Sequence, residues 1–482
     1  MIHGLLATLA AAVPALAQDR APNVVVIVAD DLGYMDVGAN NPRCFYDTPN
    51  IDRLAASGLR FTDGYAACPV CSPTRFALMT GRYPSRVDAT NYFMGRRTAN
   101  FRPAVATDRM PLAERTIGEE LGERGYHTFF AGKWHLGPSE EFWPEHQGFD
   151  VNQGGWSRGG PYGGDKYFSP YGNPRLEDGA KGEHLPDRLA RETCAFMEQH
   201  RDEPFFAYLS FYSVHTPLIG RDDLIQKYRE RAQARAGGAR FADEEQVYPS
   251  GKPRRVRIKQ DHAVYAAMVE AMDLAVGKVL DSIDALGLAA ETIVVFTSDN
   301  GGLSTSEGAP TSNVPFRGGK GWIYEGGIRE PWLWRVPGVT QPSTTSAEPI
   351  CSIDLLPTVL ALVGDADRET DRPIDGVDVS AALRGDRLAE RPLFWHYPHY
   401  GNQGGYPSGA VRLGHWKLIE RFEDGRVHLF DLAADPGERD DLAAAQTARV
   451  ATLRATLHDW YRAVDAKFLR SHEGREPWRP GQ

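Results

Sequence analysis

Two kinds of hydrophobic pattern alternate along most of the chain. Short runs of apolar, β-branched and aromatic residues predict strands at residues 23–29, 128–131, 205–211, 292–297 and 332–336. Between them, apolar positions at helical spacing predict helices at residues 48–57, 112–123, 186–200 and 263–286. Strands that are apolar on both faces and separated by helices are typical of a parallel sheet covered on both sides. We therefore expect an α/β fold with a large mixed, mostly parallel sheet sandwiched by helices.

From about residue 391 the hydrophobic pattern changes. Short strands separated by tight turns are predicted at residues 393–397, 409–413, 416–420 and 427–431, and a helix follows over residues 443–463. Successive strands joined by short turns predict a small antiparallel sheet. We therefore expect a large N-terminal domain at residues 18–390 and a smaller C-terminal α+β subdomain, carrying the antiparallel sheet, at residues 391–482.

The first residues have a pattern of their own. Residues 4–17 form an apolar run that ends in the small-residue sequence Ala15-Leu16-Ala17, which is typical of a cleaved secretory signal peptide. The alternative, an N-terminal helix of the fold, is disfavoured because a strand pattern begins almost at once. We expect residues 1–17 to be a signal peptide and the protein to be periplasmic or secreted.

Composition narrows the function classes. The chain has 482 residues, of which 42% are hydrophobic and 24% charged, an ordinary globular composition. With 54 Lys and Arg against 64 Asp and Glu, the formal net charge of −10 argues against general nucleic-acid binding. No apolar stretch is long enough to predict a membrane-spanning helix. An anionic substrate would therefore need a local cluster of cations.

Polar residues follow several of the predicted strands. Asp30 and Asp31 come directly after the first strand, and the later strands lead to Lys133, His135, His215, Asp299 and Asn300. A single Asp after a strand is most often a helix cap. Four strands in succession that end in such groups indicate an active site, because the carboxyl ends of parallel strands meet at one edge of the sheet.

Cys71 begins the segment CSPTRFALMTGR, with Pro73 and Arg75 in the next turn. This pattern predicts the start of a helix, and a helix N-terminus with a nearby Arg lowers the pKa of a thiol and attracts anions. Cys71 is thus a candidate nucleophile in an anion site, with a structural thiol as the alternative. The C-x5-R spacing of tyrosine phosphatases is absent because residue 77 is Ala.

The same segment resembles the type I sulfatase signature C-x-P-x-R-x4-TG, with Thr74 where Ser or Ala is common. Further landmarks match that family in order: ADDLG at Asp30 and Asp31, GKWHLG at Lys133 and His135, VHTP at His215, SDNGG at Asp299 and Asn300, and GGKG at Lys320. The match runs from about residue 23 to residue 337. The resemblance implies an alkaline-phosphatase-like fold with a catalytic domain at residues 18–390, and hydrolysis of a sulfate ester.

The resemblance also implies roles for these residues. The family oxidises the signature cysteine, here Cys71, to formylglycine through a maturation enzyme, and the hydrated aldehyde attacks sulfur. The metal, Ca²⁺ with Mg²⁺ as the alternative, would be held by Asp30, Asp31, Asp299, Asn300 and residue 71. Asp299 would also act as the base and His135 would help expel sulfate. Arg75 and Lys133 would hold the diol, while Lys320 and His215 would bind the sulfate and protonate the leaving alcohol, with His215 the first choice for the acid.

Substrate-binding residues are predicted from local composition. The glycine-rich loop at residues 153–164 carries Trp156 and Arg158, and a second such loop follows His396 and His399. Arg96, with Arg97 beside it, lies shortly after the signature. Aromatic faces and cations suit an anionic sugar, so we expect a sulfated carbohydrate, with a galactose-type unit as the first guess. Residues 221–259 carry a local excess of Lys and Arg, which is typical of a solvated surface segment and alternatively of a basic lid.

Two alternatives remain at this point. The first is a phosphonate or phosphate monoester hydrolase of the same fold, which the Cys71 signature disfavours. The second is a catalytically silent protein that binds sulfated glycans, which would be expected to lack one or more of Cys71, Arg75, His135, His215 or Lys320. All are present. The sequence leaves the oligomeric state and any pairing of the five cysteines open.

Overall fold

A computed structural model describes residues 20–93, 95–235, 237–364 and 372–481. The predicted signal peptide at residues 1–17 lies outside the described residues. Within the described ranges, no helix has the length and apolar character needed to cross a membrane.

The strands and helices of these ranges follow in chain order. The strands are β1 Asn23–Ala29, β2 Leu59–Phe61, β3 Gly64–Tyr65, β4 His127–Gly132, β5 Val151–Gln153, β6 Phe205–Ser210, β7 Phe241–Glu244, β8 Arg254–Arg257, β9 Thr292–Ser298, β10 Trp332–Arg335, β11 Thr344–Ser346, β12 Ile350–Cys351, β13 Leu393–Tyr397, β14 Ser408–Leu413, β15 Trp416–Arg421 and β16 Val427–Asp431. The helices are α1 Pro49–Ser57, α2 Cys71–Thr80, α3 Ile117–Gly122, α4 Leu185–Gln199, α5 Asp222–Ala234, α6 Ala263–Ala285, α7 Glu325–Ile328, α8 Leu355–Leu362, α9 Ser380–Leu383 and α10 Thr447–Ala463.

The largest sheet has eight strands in the order β11-β2-β10-β9-β1-β6-β4-β5. Its centre is parallel, since β1 pairs in parallel with β6 and β9, and β4 pairs in parallel with β6 and β5. Only β10 runs against its neighbours, β9 and β2, among the described pairings of this sheet. The predicted mixed, mostly parallel sheet is confirmed.

Both faces of this sheet are covered by helices. Alternate residues of β1 point to opposite faces, so Val25 and Ile27 pack with α1, α4, α5 and α6, whereas Val24 and Val26 pack with α2, α3, α8 and α9. Every residue of β1 is buried for this reason. Two helix predictions were wrong at their starts. Helix α10 begins at Thr447 rather than at residue 443. Helix α3 begins at Ile117 rather than at residue 112, because Thr116 caps it by accepting a hydrogen bond from the backbone N–H of Glu119.

The C-terminal strands form a separate antiparallel sheet of four strands in the order β13-β14-β15-β16, as predicted. Helix α10 packs on it, and their apolar core also includes Tyr65 and Cys351 from the earlier part of the chain. The small sheet is therefore packed against the rest of the protein. The division at residues 390 and 391 stays a prediction.

A buried ion cluster joins this small sheet to the main body. The ammonium of Lys417 on β15 lies 2.9 Å from carboxylate oxygens of both Glu325 and Glu438, and all of these side chains are fully buried. Lys417→Ala would remove the cation that Glu438 contacts and would leave Glu325 paired with Arg329, 3.3 Å away. We expect it to lower the free energy of unfolding by about 3–5 kcal/mol, because a buried carboxylate loses its cation. Chemical denaturation followed by tryptophan fluorescence measures this loss.

The matched control for that variant is Lys278→Ala, which removes a surface ion pair to Asp187 in which the lysine side chain is 54% exposed. An exposed pair contributes about 1 kcal/mol or less. Equal losses in the free energy of unfolding for the two substitutions would contradict a stabilising role of the buried cluster.

Candidate active site

The carboxyl ends of four parallel strands deliver polar side chains to one edge of the large sheet. Asp30 and Asp31 follow β1, Asp299 and Asn300 follow β9, Lys133 and His135 follow β4, and His215 follows β6. Backbone hydrogen bonds link the segments that follow these strands. The N–H of Asp30 donates to the carbonyl of Ser213 at 2.8 Å, and the N–H of Lys133 donates to the carbonyl of Ser210 at 2.8 Å. The expected convergence at this edge is present.

Helix α2 brings the thiol and a guanidinium to the same place. Cys71 is its first residue, and Arg75 lies one turn further along. The hydroxyl of Thr74 donates to the carbonyl of Cys68 at 2.9 Å and accepts from its N–H at 3.2 Å, which fixes the turn before the helix. Thr74 therefore performs a local structural task here. All five cysteines, which lie within the described ranges, are free thiols.

Three carboxylates and three cations form a buried cluster beneath Cys71. The guanidinium of Arg75 contacts Asp299 at 2.7 Å. The ammonium groups of Lys133 and Lys320 contact Asp30 and Asp31, respectively, each at 2.7 Å. Each of these six side chains is at most 4% exposed. Buried charges are tolerated when they are paired in this way, and the formal charge of the cluster is balanced.

The pKa shifts follow from this pairing. Burial opposes ionisation of Asp31 and Asp299, yet the cations beside them, Lys320 and Arg75, respectively, lower the pKa of both carboxyl groups. Burial raises the pKa of Asp30, with Asp299 and Asp31 adding to the rise and Lys133 opposing it. Asp30 thus lies in a place where additional positive charge would be favourable.

Two oxygen atoms at this edge fit a metal ion. Asp30 Oδ1 and Asn300 Oδ1 are buried and accept no hydrogen bond from the described residues. With the carboxylates of Asp31 and Asp299 they form a set of hard oxygen donors, which suits Ca²⁺ or Mg²⁺. Asp30, Asp31 and His215 also offer ligand atoms that lie within 4.8 Å of one another. The donors present therefore fit a hard divalent cation.

Both histidines with a predicted catalytic role, His135 and His215, lie beside the buried cluster of carboxylates and cations. His215 Nε2 lies 3.8 Å from Asp31 Oδ2, and its Nδ1 lies 3.4 Å from the hydroxyl of Tyr162. His135 has a buried Nδ1 with no described hydrogen-bond partner. A Cβ at Gly159 would lie 2.5 Å from the His135 ring, so glycine lets that loop cover it. Burial lowers the pKa of both imidazoles, helped at His215 by Lys320 and at His135 by Lys133.

An open pocket of about 490 Å³ lies above the cluster. Four of the predicted catalytic residues border it: Cys71, His135, His215 and Lys320. The remaining wall is formed by Tyr92, Phe93, Arg97, Ser157, Arg158, Gly159, Tyr162, Glu307, Asn402 and Gln403. The pocket thus joins the buried charges to solvent through a wall of aromatic, amide and charged groups.

The structure brings only Arg158 of the predicted substrate-binding residues to this pocket. Trp156 packs instead against the hydrophobic core beside the sheet. Arg96 and His399 line a different cavity of about 170 Å³. His396 is 4% exposed among Phe422, Tyr461 and other rings, and it contacts the Lys467 carbonyl at 2.8 Å. Their predicted role is corrected accordingly: these four side chains are engaged in packing or face another cavity.

Sequence reasoning missed several residues of the wall. Asn402 and Gln403 belong to the glycine-rich loop that follows His399, so the loop itself was the signal that pointed to them. Tyr92 and Glu307 carried no such signal. Arg317, close in sequence to Lys320, pairs with Glu244 at 2.6 Å and so forms a structural ion pair.

A mostly parallel sheet with a thiol, buried cations and hard oxygen donors at its carboxyl edge defines a hydrolase of an anionic ester. Comparison with known families is more specific. The family model described as Sulfatase matches residues 22–365, and the model of the N-sulphoglucosamine sulphohydrolase C-terminal region matches residues 318–466. The chain belongs to the sulfatase family and hydrolyses sulfate esters. The family match favours sulfate ester hydrolysis over the alternative function, hydrolysis of a phosphonate or phosphate monoester.

Individual relatives agree with this assignment. Arylsulfatase A of Homo sapiens is 34% identical over 91% of this chain and 86% of its own length. N-acetylgalactosamine-6-sulfatase of Canis lupus familiaris is 31% identical over 92% of this chain and 86% of its own length. The crystal structure of Ps i-CgsB in complex with k-i-k-neocarrahexaose has a TM-score of 0.73 and 29% identity, and covers 92% of this chain and 93% of that one.

Proposed function

We propose that this sulfatase removes sulfate from a sulfated carbohydrate, with a galactose-type unit as the first candidate. Two relatives support the substrate class: one is named for N-acetylgalactosamine, and the other was solved with a neocarrahexaose. The pocket supports it as well, since it is open and walled by Tyr92, Tyr162 and Arg158, and aromatic and guanidinium groups bind anionic sugars. Export to the periplasm or medium belongs to the same proposal and is suggested by residues 4–17.

The observation that carries the proposal is the position of Cys71. It is the first residue of α2, borders the pocket, and lies above a buried cluster of cations. Burial raises the pKa of the Cys71 thiol, although Lys133 and Lys320 oppose the rise. An unmodified thiol would therefore be a weak nucleophile at neutral pH. We propose that a maturation enzyme converts Cys71 to formylglycine, whose hydrated aldehyde supplies the attacking hydroxyl.

Four side chains would hold the metal, namely Asp30, Asp31, Asp299 and Asn300, with Ca²⁺ as the first choice and Mg²⁺ as the alternative. A divalent cation bound there polarises the sulfate and orients residue 71. Asp30 Oδ1 and Asn300 Oδ1, which accept no hydrogen bond from the described residues, support this set.

The other residues have roles that their contacts suggest. Arg75 donates to Asp299 at 2.8 Å and to Ser210 at 2.6 Å, so it holds Asp299 beside residue 71 in the ionised form that a base requires. Lys133 holds the carboxylate of Asp30 in position through a contact of 2.7 Å. His135 lies where it can accept a proton from the diol. Burial by itself lowers the pKa of Lys320, but Asp31 and the other negative neighbours together raise this pKa well above its ordinary value. Lys320 would therefore bind the sulfate group as a cation.

We propose His215 as the general acid that protonates the departing alcohol. Burial and Lys320 lower its pKa in the free protein, and the negative charge of a sulfate bound beside the ring would raise this pKa and favour the protonated imidazole. A general acid matters more for a poor leaving group than for a good one, because a sugar alkoxide needs the proton and 4-nitrophenolate does not. His215→Ala should therefore lower kcat/KM for a sulfated monosaccharide by about 10²–10⁴-fold and for 4-nitrophenyl sulfate much less. Lys320→Ala, which removes a sulfate contact, should lower both to a similar extent.

The measurement is inorganic sulfate release from 4-nitrophenyl sulfate and from the 6-sulfates of galactose, N-acetylgalactosamine and glucosamine. The proposed function requires wild-type turnover of at least one sugar. Turnover of the aryl sulfate alone would argue against a carbohydrate sulfatase. Equal losses on both kinds of substrate in His215→Ala would remove the acid role from His215 and favour Lys320, its competitor.

A further inference from the structure

Three segments of the chain converge on one side of the pocket, away from the buried cluster. They are the segment after α2 that contains Arg97, the β7–β8 hairpin, and the loop of residues 401–406. Asn100 Nδ2 donates to the carbonyl of Val247 in the hairpin at 3.4 Å, and the N–H of Val247 donates to the carbonyl of Gly405 at 3.2 Å. The hairpin belongs to the basic region at residues 221–259, part of which therefore approaches the pocket.

Arg254, the first residue of β8, lies directly behind this wall. A Cβ at Gly404 would lie 2.6 Å from Arg254 Nε, and Gly404 has a φ of +95°, so this close approach requires glycine. Gly404 follows Gln403, which borders the pocket. The Nε–H of Arg254 donates to the side-chain oxygen of Gln246 at 3.1 Å, which holds the half-buried guanidinium in place.

Arg97 and Arg254 lack the carboxylate partners that other arginines near the site have. Arg75 and Arg317 pair with carboxylates at 2.7 Å and 2.6 Å, respectively. Within the ranges that the structure describes, no carboxylate is paired with Arg97 or Arg254. The two guanidinium groups are also close enough to repel each other, since burial and the charge of Arg97 both lower the pKa of Arg254.

The carboxylate of Glu307 also borders the pocket, but its oxygens are engaged elsewhere. It accepts hydrogen bonds from Asn402 Nδ2 at 2.6 Å and from the hydroxyl of Thr216 at 3.2 Å. One of these two neighbouring guanidinium groups, Arg97, lines the pocket, and the other, Arg254, lies behind its wall. Neither has a carboxylate partner among the described residues, which is most simply explained by an anion that arrives with the substrate. Guanidinium groups bind carboxylate and sulfate oxygens in a bidentate manner.

We propose that Arg97 and Arg254 form a second-anion subsite, which binds a carboxylate or a further sulfate group carried by the same substrate molecule as the sulfate ester. This inference rests on the proposed function, and it narrows the substrate class to carbohydrates with at least two anionic groups. Arg97 contacts the second anion from the pocket wall, and Arg254 supports it from behind Gln403.

The test uses synthetic aryl sulfates, so it does not depend on the identity of the sugar. Phenyl sulfates are prepared with a methylene linker of increasing length that ends in a carboxylate, a sulfonate or a neutral carboxamide. The linker insulates the leaving group, so matched probes differ only in charge. At the best linker length we expect wild-type protein to prefer an anionic probe over the carboxamide by about tenfold in kcat/KM, as for a hydrogen bond to a charged group.

Arg97→Gln and Arg254→Gln should each lose most of this preference, mainly through a higher KM for the anionic probe. Arg96→Gln is the matched control: Arg96 adjoins Arg97 in sequence but lines the separate cavity, so the preference should persist. Thermal melting of each variant reports whether it is folded. A preference restricted to the carboxylate or to the sulfonate would identify which anion the subsite takes.

Three outcomes distinguish failure of the subsite from failure of the function on which it rests. Turnover of the carboxamide probes with no preference for an anion at any linker length would overturn the subsite and leave the sulfatase intact. The same holds if folded Arg97→Gln and Arg254→Gln proteins keep the preference. No turnover of any probe, with no sulfate released from any sugar, would overturn the proposed function itself.

Discussion

Cys71→Ala is expected to abolish sulfate release, lowering kcat/KM by about 10⁴-fold or more, as for removal of the nucleophile in other hydrolases. The alanine side chain can form neither a thiol nor an aldehyde, so the pocket would keep its cations and lose the attacking group. The fold should tolerate the change, because the Cys71 side chain makes no hydrogen bond with the described residues and Ala is a good helix former at the first position of α2. Sulfate release from 4-nitrophenyl sulfate measures the loss.

The peptide that contains residue 71 should be weighed in the same preparation. Wild-type protein should show the mass of an aldehyde at this position, and activity should scale with the converted fraction. Cys68→Ala is the matched control, because Cys68 is also a buried thiol, lies three positions earlier in the sequence, and does not border the pocket. Full activity in Cys71→Ala, or an aldehyde with no dependence of activity on it, would contradict the proposed mechanism.

The centre of the fold was predictable from the sequence because burial on two faces leaves a strong signal. All residues of β1, β6 and β9 are buried, so the strands are continuous apolar or small-residue runs that end abruptly in polar groups. That abrupt change from apolar to polar marks the edge where the site lies. The ion pairs could not be read from spacing, since Asp31 and Lys320 are far apart in the chain and meet only in the folded protein.

The substrate pocket was less predictable for a physical reason. Arg96 and Arg97 are adjacent, equally charged and both exposed, yet only the backbone path of the loop decides that Arg97 faces this pocket and Arg96 another cavity. His396 precedes a glycine-rich loop, a pattern typical of a binding residue, but the rings of Phe422 and Tyr461 enclose it. Burial lowers the pKa of His396 to about 4, so this histidine is a neutral core residue at pH 7.

Calcium is expected to raise the melting temperature of wild-type protein and not that of Asp31→Asn. The cluster is already neutral through Arg75, Lys133 and Lys320, so the metal is not needed to balance charge. Its binding energy would come from two oxygens that accept no hydrogen bond in the described part of the chain, Asp30 Oδ1 and Asn300 Oδ1. At a Ca²⁺ concentration of about 100 times Kd, binding to the folded state alone would stabilise it by about 2.7 kcal/mol. Chelation should abolish sulfate release, and added Ca²⁺ should restore it.

Asp31→Asn also deprives Lys320 of its carboxylate, so each variant must be compared with and without Ca²⁺ rather than with wild type. A second described cluster provides the control: His127, His200 and Glu203 also offer ligand atoms within 4.8 Å of one another, on the surface of the protein. His127→Ala/His200→Ala should keep both the calcium-dependent stabilisation and the activity, because imidazoles are poor ligands for Ca²⁺. If the stabilisation instead persisted in Asp31→Asn and vanished in the double variant, the ion would bind at the surface, and the proposed metal set would be wrong.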